Sequence, residues 1–337
     1  MPLEVRESWL AQVVEEVLEP ERRIVDPHHH FFEAGEGFPF YDLSSFWADA
    51  ETHNVEQTVY VQCWEGYRTT GPEEMMVVGE TEWVDSIATQ AAKRPEAPQI
   101  GAIVGTAELR LGAKLRPILE AHCAASELFR GIRLIAAWDE DEGITSMPWL
   151  TDGNLYSDPA FREGFAVLAE MGLCFDAYHY HHQNRYLTQL ARAFPSARIV
   201  NNHLGTPLGV GPYAGCREEV FEQWAHDITE QAACPNVFMK LGGLSMPWNG
   251  FGFAEQAAPP SSDELVLKQA RYYHHAIEQF GAERCMFESN FPVEKCALSY
   301  TVLWNAFKKM AARYTEAEKD SLFRGTATEF YRLKRSL

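Results

Sequence analysis

Residues 24–32 read IVDPHHHFF, a short apolar run that leads into three consecutive histidines. The β-branched start of this run favours a buried strand, and the histidines fall at the strand's carboxyl end. Alternate residues of a strand point the same way, so we expect His28 and His30 to face one direction. Two imidazoles side by side form a natural corner for a zinc-like ion. A polar cluster that only hydrogen-bonds the neighbouring loops is the alternative interpretation.

Seven further apolar runs follow, and stretches with helical periodicity separate them. Short strands alternating with helices predict parallel strands joined by helical crossovers. Eight strands predict a closed (β/α)8 TIM barrel, an α/β fold, and no Gly-x-Gly-x-x-Gly follows the first run to indicate an open dinucleotide-binding sheet. The predicted strands are 24–26, 58–63, 100–106, 131–135, 173–177, 198–202, 236–241 and 284–288, and the predicted helices include 74–94, 113–127, 161–171, 185–194, 218–233, 263–280 and 299–314.

The 337 residues are predicted to form one barrel domain over 24–337, preceded by a helical leader over 1–23. The leader has neither the basic start nor the unbroken apolar core of a signal peptide, and no run of 18 apolar residues occurs in the chain. Seven cysteines without a Cys-x-x-Cys favour a reducing compartment, so we expect a cytoplasmic enzyme. The leader residues at helical spacing are Trp9, Leu10, Val13, Val14, Val17 and Leu18.

The formal net charge is −19, from 48 acidic and 29 basic residues. Phosphate backbones and anionic lipids repel so acidic a chain, which indicates against nucleic acid and membrane surfaces as partners. A small-molecule substrate is therefore expected. The sequence leaves open whether the chain pairs into a homo-oligomer.

Polar residues also follow later strands. His203 ends the sixth run, His179, His181 and His182 follow the fifth, and the eighth run ends at Glu288 and Asn290. The carboxyl ends of barrel strands meet at one mouth, so these side chains are expected to converge there with those of the first strand. The prediction rests on all these residues lying at strand ends, because no single spacing between them indicates a site.

Three long irregular stretches, 138–159, 205–216 and 242–262, follow the fourth, sixth and seventh strands and are predicted to be loops on the same mouth. The third is expected to be either a lid or a surface excursion. Tryptophans in or beside these loops are predicted to line a substrate pocket, with a place in the core as the alternative. They are Trp64, Trp138, Trp149 and Trp248.

The segments VDPHHHFF, GIR, HHQ, NNHLGTP, NVFMKLGGL, ERCMFESNFPVEK and LFRGTATEFYRL together resemble the amidohydrolase-2 family. This branch of the amidohydrolase superfamily holds sugar-acid and dicarboxylate lactonases, with decarboxylases and hydratases as cousins. The resemblance runs from about Ile24 to Leu333, and its motifs are specific in combination. It implies a hydrolase on a (β/α)8 barrel.

The resemblance assigns metal ligands residue by residue. His28 and His30 match the first-strand His-x-His of the family. His181 is similar to the fifth-strand histidine of the family's His-Pro-Gln and is implied as a third ligand or a proton carrier. The Pro of that motif is His182 here, and His179 is a rival for the same position.

The resemblance also implies catalytic residues. His203 matches the sixth-strand histidine, and Arg133 matches the fourth-strand arginine, for which binding a substrate carboxylate and an internal salt bridge are alternatives. Asn290 stands where the family carries an aspartate, and an amide neither ligates a metal well nor accepts a proton near neutrality. Glu288 points to the same side of the strand and is a candidate for the missing carboxylate. An ion pair with Arg133 or Lys240 is the alternative role for Glu288.

The sequence thus predicts hydrolysis of a lactone, or of a related C–O or C–N bond, in a small organic acid. In one version His28, His30 and a later histidine hold a zinc or manganese ion that activates water. In a metal-free version the histidines and Arg133 stabilise the oxyanion, and a histidine or Glu288 is the base. The alternatives are a decarboxylase or hydratase, and a degenerate barrel that binds without catalysis.

Overall fold

Eight parallel strands form the centre of the computed structural model, which describes residues 4–33 and 38–334. The strands pair in chain order from first to eighth. A parallel bridge between His29 and Phe291 joins the segment after the eighth strand to the first strand, which confirms the predicted (β/α)8 TIM barrel. The strands, all eight of them predicted, are β1 Ile24–His29, β2 Val55–Val61, β3 Gln99–Gly105, β4 Phe129–Ile135, β5 Cys174–Tyr178, β6 Arg198–Asn201, β7 Val237–Leu241 and β8 Cys285–Phe287.

Helices surround the barrel, and side-chain caps mark several of their starts. Asp158 and Ser299, for example, accept backbone N–H bonds at the starts of two helices. The helix at Leu43–Ala50 was not predicted, because only Phe46 and Ala50 form its buried face. The helices are α1 Glu7–Leu10, α2 Leu43–Ala50, α3 Val78–Ala91, α4 Arg116–Ala125, α5 Pro159–Glu170, α6 Asn184–Ala193, α7 Arg217–Ala232, α8 Ser262–Phe280, α9 Tyr300–Ala311, α10 Glu316–Asp320 and α11 Thr326–Phe330.

The leader contains one helical turn, α1, in place of the long helix that its periodicity predicts. Beyond α1, backbone groups of the leader bond to side chains of α9. Asn305 accepts a bond from the N–H of Leu18 at 2.9 Å and donates to Glu16 O at 2.9 Å and to a Glu15 carboxylate oxygen at 3.0 Å. Val14 is 87% exposed and packs into no core. Tertiary hydrogen bonds thus override the local helical pattern.

The barrel interior is apolar in its lower half, where the C-terminal segment enters it. Phe330, Tyr331 and Leu333 pack there against strand residues such as Val59 and Met286. A second, larger apolar core fills the space between the strands and the helices. The apolar floor leaves the upper interior as the place where buried polar side chains collect.

The predicted mouth loops are irregular and contain only short 3₁₀ turns, such as Leu155–Ser157 and Pro247–Asn249. All seven cysteines are free thiols, and burial raises the pKa of both Cys63 and Cys285, as expected for structural thiols. Within residues 4–33 and 38–334, no helix is long and apolar enough to cross a bilayer.

Replacing Asn305 by Ala removes the three bonds that this side chain makes to the leader. We expect Asn305→Ala to lower the free energy of unfolding by about 1–3 kcal/mol, because the backbone groups of the leader lose buried partners. Urea unfolding measures this loss. Gln12→Ala is the control, because it changes an exposed residue of the leader. Equal stability of the two variants would contradict the account of the leader.

Candidate active site

Four buried side chains from four parts of the barrel converge at the mouth. His28 lies on β1, Arg133 on β4, His203 directly after β6, and Glu288 directly after β8. None of them is more than 4% exposed. The predicted convergence is therefore present for the first, sixth and eighth strands, whereas His181 after the fifth strand contacts Leu208 and Tyr213 instead.

The Glu288 carboxylate lies between two imidazoles. Its Oε1 is 2.7 Å from Nδ1 of His203 and accepts a second bond from the backbone N–H of His203 at 3.1 Å. Its Oε2 is 2.6 Å from Nδ1 of His28. Glu288 therefore pairs with two histidines, and not with Arg133 or Lys240 as the alternative interpretation held.

These short contacts indicate protons between Glu288 and the histidines. Two ligands of a tetrahedral zinc ion lie about 3.4 Å apart, because each is about 2.0–2.1 Å from the metal. Separations of 2.6 and 2.7 Å are too short for that and suit charge-assisted hydrogen bonds. The ring N–H of His28 is poorly aligned with Oε2 of Glu288. A proton on Nδ1 avoids two lone pairs facing each other at 2.6 Å, whereas Lys240 Nζ, 3.3 Å away, would donate to an Nδ1 without a proton.

His28 and His30 form a different kind of pair. Their Nε2 atoms are 3.2 Å apart, and Nδ1 of His30 lies 2.7 Å from the carbonyl oxygen of Val61, to which it donates. With both Nδ1 atoms protonated, two Nε2 lone pairs face each other at a spacing that suits ligands of one divalent ion. The residues present thus fit the predicted metal corner.

A second set of possible ligands shares His28. One ligand atom each from His28, His203 and Glu288 lies within 4.8 Å of the others. This group differs from the predicted trio of His28, His30 and His181. Because Glu288 already engages both imidazoles by hydrogen bonds, an ion here would have to displace the protons.

Arg133 is a buried guanidinium without a carboxylate partner among the described residues. Its Nη1 lies 3.3 Å from Nε2 of His28, its Nη2 donates to the carbonyl oxygen of Gln62, and its Nε has no partner there. Burial lowers its pKa. Within 4–33 and 38–334 the internal salt bridge considered for Arg133 does not form, so the guanidinium keeps a charge that can attract an anion. It also competes with any cation for the lone pair of His28.

The first-strand imidazoles are held neutral. Burial, reinforced by the nearby Lys240 cation, lowers the pKa of His28 well below its usual value. Burial, reinforced by Arg133, does the same for His30. Neutral imidazole is the form that binds a metal or accepts a proton.

His203 sits in a left-handed turn. Its φ is 55°, that of Leu204 is 55° and that of Thr206 is 44°. A positive φ is unusual for residues other than glycine, and this turn contains three of them. The bond from His203 N–H to Glu288 holds the backbone in this conformation. Gly243 packs against the ring, since a Cβ there would lie 2.4 Å from Nδ1 of His203.

Two predicted site residues lie outside this convergence. His181 contacts Tyr213 and accepts from the backbone N–H of Leu208 at 3.4 Å, and burial lowers its pKa to about 3. The backbone N–H of Asn290 bonds to His28 O, while its side-chain amide points to the sulfur of Met246 at 3.4 Å. Asn290 therefore supports β1 through its backbone.

The predicted tryptophans divide into two kinds. Trp248 packs in an apolar cluster with Tyr178, whose ring contacts His203 edge-on at 5.2 Å between centroids. Trp138 is half-buried in the loop after β4, and Trp64 is 44% exposed. Trp248 is thus the tryptophan that the structure links to the histidines through Tyr178.

Sequence analysis missed Asp176 and Tyr178 on β5. Asp176 is fully buried and accepts a hydrogen bond from Lys240 at 2.7 Å, so Lys240 pairs with Asp176 and not with Glu288. The available signal was an acid inside the apolar run LCFDA, with Tyr178 two residues further on the same side of the strand.

Known proteins are similar to this chain over most of its length. The pattern of the family described as Amidohydrolase matches residues 25–333. The uncharacterized protein y4mH of Sinorhizobium fredii is 31% identical over 92% of this chain and 98% of its own. An L-fucono-1,5-lactonase of Burkholderia ambifaria is 26% identical over 92% of this chain and 96% of its own. An amidohydrolase from Burkholderia multivorans crystallised with bound zinc shares the fold, with a TM-score of 0.71 and 21% identity over 92% and 99% of the two chains.

Replacing Gly243 by Ala tests the packing under His203. Gly243 and Gly172 have φ of 71° and 67°, but a Cβ at Gly172 meets nothing within 4 Å. Both Ala variants pay the left-handed backbone cost, and we expect Gly243→Ala to lose about 1–3 kcal/mol more through overpacking. Urea unfolding of the two variants measures the difference. Equal losses would show that the His203 ring is not held by this contact.

Proposed function

The chain belongs to the amidohydrolase family, and on that premise we propose that it hydrolyses a lactone, or a related C–O or C–N bond, in a small organic acid. The lactonases among its relatives support this reaction. The observation that carries the proposal is the His203–Glu288 pair, together with a buried Arg133 that has no carboxylate partner among the described residues.

His203 is the general base in this proposal. Because its Nδ1–H donates to Glu288, its Nε2 keeps a lone pair that can take a proton from the attacking water. The Glu288 carboxylate then stabilises the imidazolium that forms, as the carboxylate of a His–Asp pair does. Glu288 thus acts through the histidine and does not need to reach the substrate. His181 would carry a proton only from the edge of the site.

Arg133 supplies the positive charge. A guanidinium with no carboxylate partner can bind the carboxylate of an organic acid in a fork, or stabilise the oxyanion as the carbonyl is attacked. Tyr178 and Trp248 form an aromatic wall beside His203, and Trp138 and Trp64 stand further out as binding residues. Asn290 contributes by fixing the backbone of His28.

His28 and His30 would hold a divalent ion, zinc or manganese, through the two Nε2 atoms that face each other. Such an ion would supply Lewis acidity, which polarises a carbonyl and brings the pKa of water to about 7. The Nδ1 contacts of both rings, with Glu288 and with Val61 O, orient the imidazoles for that task.

The reaction is tested by mixing the protein with L-fucono-1,5-lactone and with 2-pyrone-4,6-dicarboxylate while ring opening is followed by acid release and absorbance. We expect ring opening of at least one lactone, and a loss of about 10²-fold or more in kcat for Glu288→Gln, because the base loses its partner. Glu80→Gln is a control for the loss of a buried carboxylate, since Glu80 is equally buried but accepts bonds from Tyr60 and the backbone N–H of Cys63 and not from the histidines.

Other results would contradict the proposal. Carbon dioxide release from a hydroxybenzoate, with no lactone opened, would favour the decarboxylase alternative. Ligand binding without turnover of either class would favour a binding barrel. Equal activity of Glu288→Gln and the control would remove Glu288 from the mechanism.

Metal binding separates the two possible ligand sets. We expect His28→Gln and His30→Gln to weaken zinc binding by about 10-fold or more, and His203→Gln to retain zinc while losing turnover. Calorimetric titration of metal-stripped protein with zinc measures each affinity. Zinc lost in His203→Gln and kept in His30→Gln would instead place the ion among His28, His203 and Glu288.

A further inference from the structure

A column of buried polar side chains continues from His28 toward the floor of the barrel. Nζ of Lys240 lies 3.3 Å from Nδ1 of His28 and donates to Oδ2 of Asp176 at 2.7 Å. The same Oδ2 accepts the Tyr331 hydroxyl at 2.8 Å and the Asn202 amide at 3.3 Å. Asp176, Lys240, Asn202 and Tyr331 are all fully buried.

Tyr331 enters this column from the C-terminal segment. That segment, residues 326–334, places Phe330 and Leu333 in the apolar floor, and Tyr331 passes between them into the interior. The Lys240 ammonium lies over the Tyr331 ring, 5.3 Å from its centroid. Tyr331 thus contacts both members of the buried ion pair.

A buried ion pair is held only where geometry and further hydrogen bonds compensate the loss of water. Oδ2 of Asp176 receives three donors, and the Tyr331 hydroxyl comes from outside the barrel strands. Without that hydroxyl, Asp176 has one donor fewer and Lys240 is less firmly placed. Lys240 faces the Nδ1 edge of His28, the edge that also faces Glu288.

We propose that Tyr331, Asp176 and Lys240 form a positioning column that fixes the ring of His28 against Glu288. The C-terminal segment is then part of the active-site support as well as the floor of the barrel. None of the three touches substrate in this arrangement, because all three lie in the buried interior beneath the histidines. The inference concerns the protein without ligand and does not depend on which bond is hydrolysed.

The chain contains a second set of the same chemistry outside the barrel. The Tyr41 hydroxyl donates to Oδ2 of Asp49 at 2.7 Å, and Lys295 donates to the two oxygens of Asp49 at 2.8 and 2.9 Å. Tyr41 is 3% exposed, so loss of its hydroxyl has a similar structural cost. Tyr41→Phe is therefore the matched control for Tyr331→Phe.

The experiment records long-range ¹H–¹⁵N spectra of metal-free protein labelled at histidine. The His28 ring signals are assigned by their loss in His28→Gln. We expect Tyr331→Phe to shift the ring nitrogens of His28 and Tyr41→Phe to leave them in place. With a lactone that the wild type opens, Tyr331→Phe is expected to lower kcat about 10-fold at unchanged KM, as loss of a supporting partner does.

Unshifted His28 signals in a folded Tyr331→Phe protein would overturn the inference, whatever its stability. If that variant fails to fold, Asp176→Asn decides the question, since the amide keeps the shape and an acceptor oxygen but removes the charge that holds Lys240. His28 signals that stay in place in Asp176→Asn would overturn it equally. Absence of lactonase activity would contradict the proposed function and leave the spectral result intact.

Discussion

The contact of one buried carboxylate with two imidazoles is the interaction on which the site depends. Glu288 is fully buried, so its charge must be met by hydrogen-bond donors from the protein. His203 meets one carboxylate oxygen through Nδ1 and its backbone N–H, and Nδ1 of His28 lies 2.6 Å from the other oxygen. Protons on both Nδ1 atoms would leave lone pairs on the opposite nitrogens, and that of His28 faces Nε2 of His30. The left-handed turn at His203 persists because Glu288 also binds its backbone N–H.

Apolar and charged side chains occupy different layers of the barrel interior. The floor is apolar and sealed by the C-terminal segment, while the layer above pairs Lys240 with Asp176. Arg133 then stands across His28 from Glu288 and has no carboxylate of its own. Cations on two sides keep His28 neutral, which adds to the effect of burial on its pKa. A neutral imidazole and an unpaired guanidinium together suit an anionic or carbonyl-bearing substrate.

The pattern of apolar residues along the sequence predicted the strands well, because buried parallel strands are continuous apolar runs. It also predicted His28 and His30, since a His-x-His at a strand end needs no tertiary information. It gave Glu288 two possible roles, and the partners that decide between them come from β1 and from the turn after β6. The contact of Tyr331 with Asp176 joins residues 155 positions apart and leaves no local signal. The prediction of a long leader helix was wrong, because the side chain of Asn305 bonds to backbone groups of the leader.

The positions of the protons around Glu288 test the account most directly, and neutron diffraction from deuterated, metal-free crystals would locate them. The account predicts deuterons on Nδ1 of His28, His30 and His203, none on Nε2 of His28 or His30, and a bare carboxylate on Glu288. A deuteron on Glu288, or an Nδ1 of His28 without one, would contradict it. The first-strand imidazoles would then not present the paired lone pairs from which the metal corner was argued.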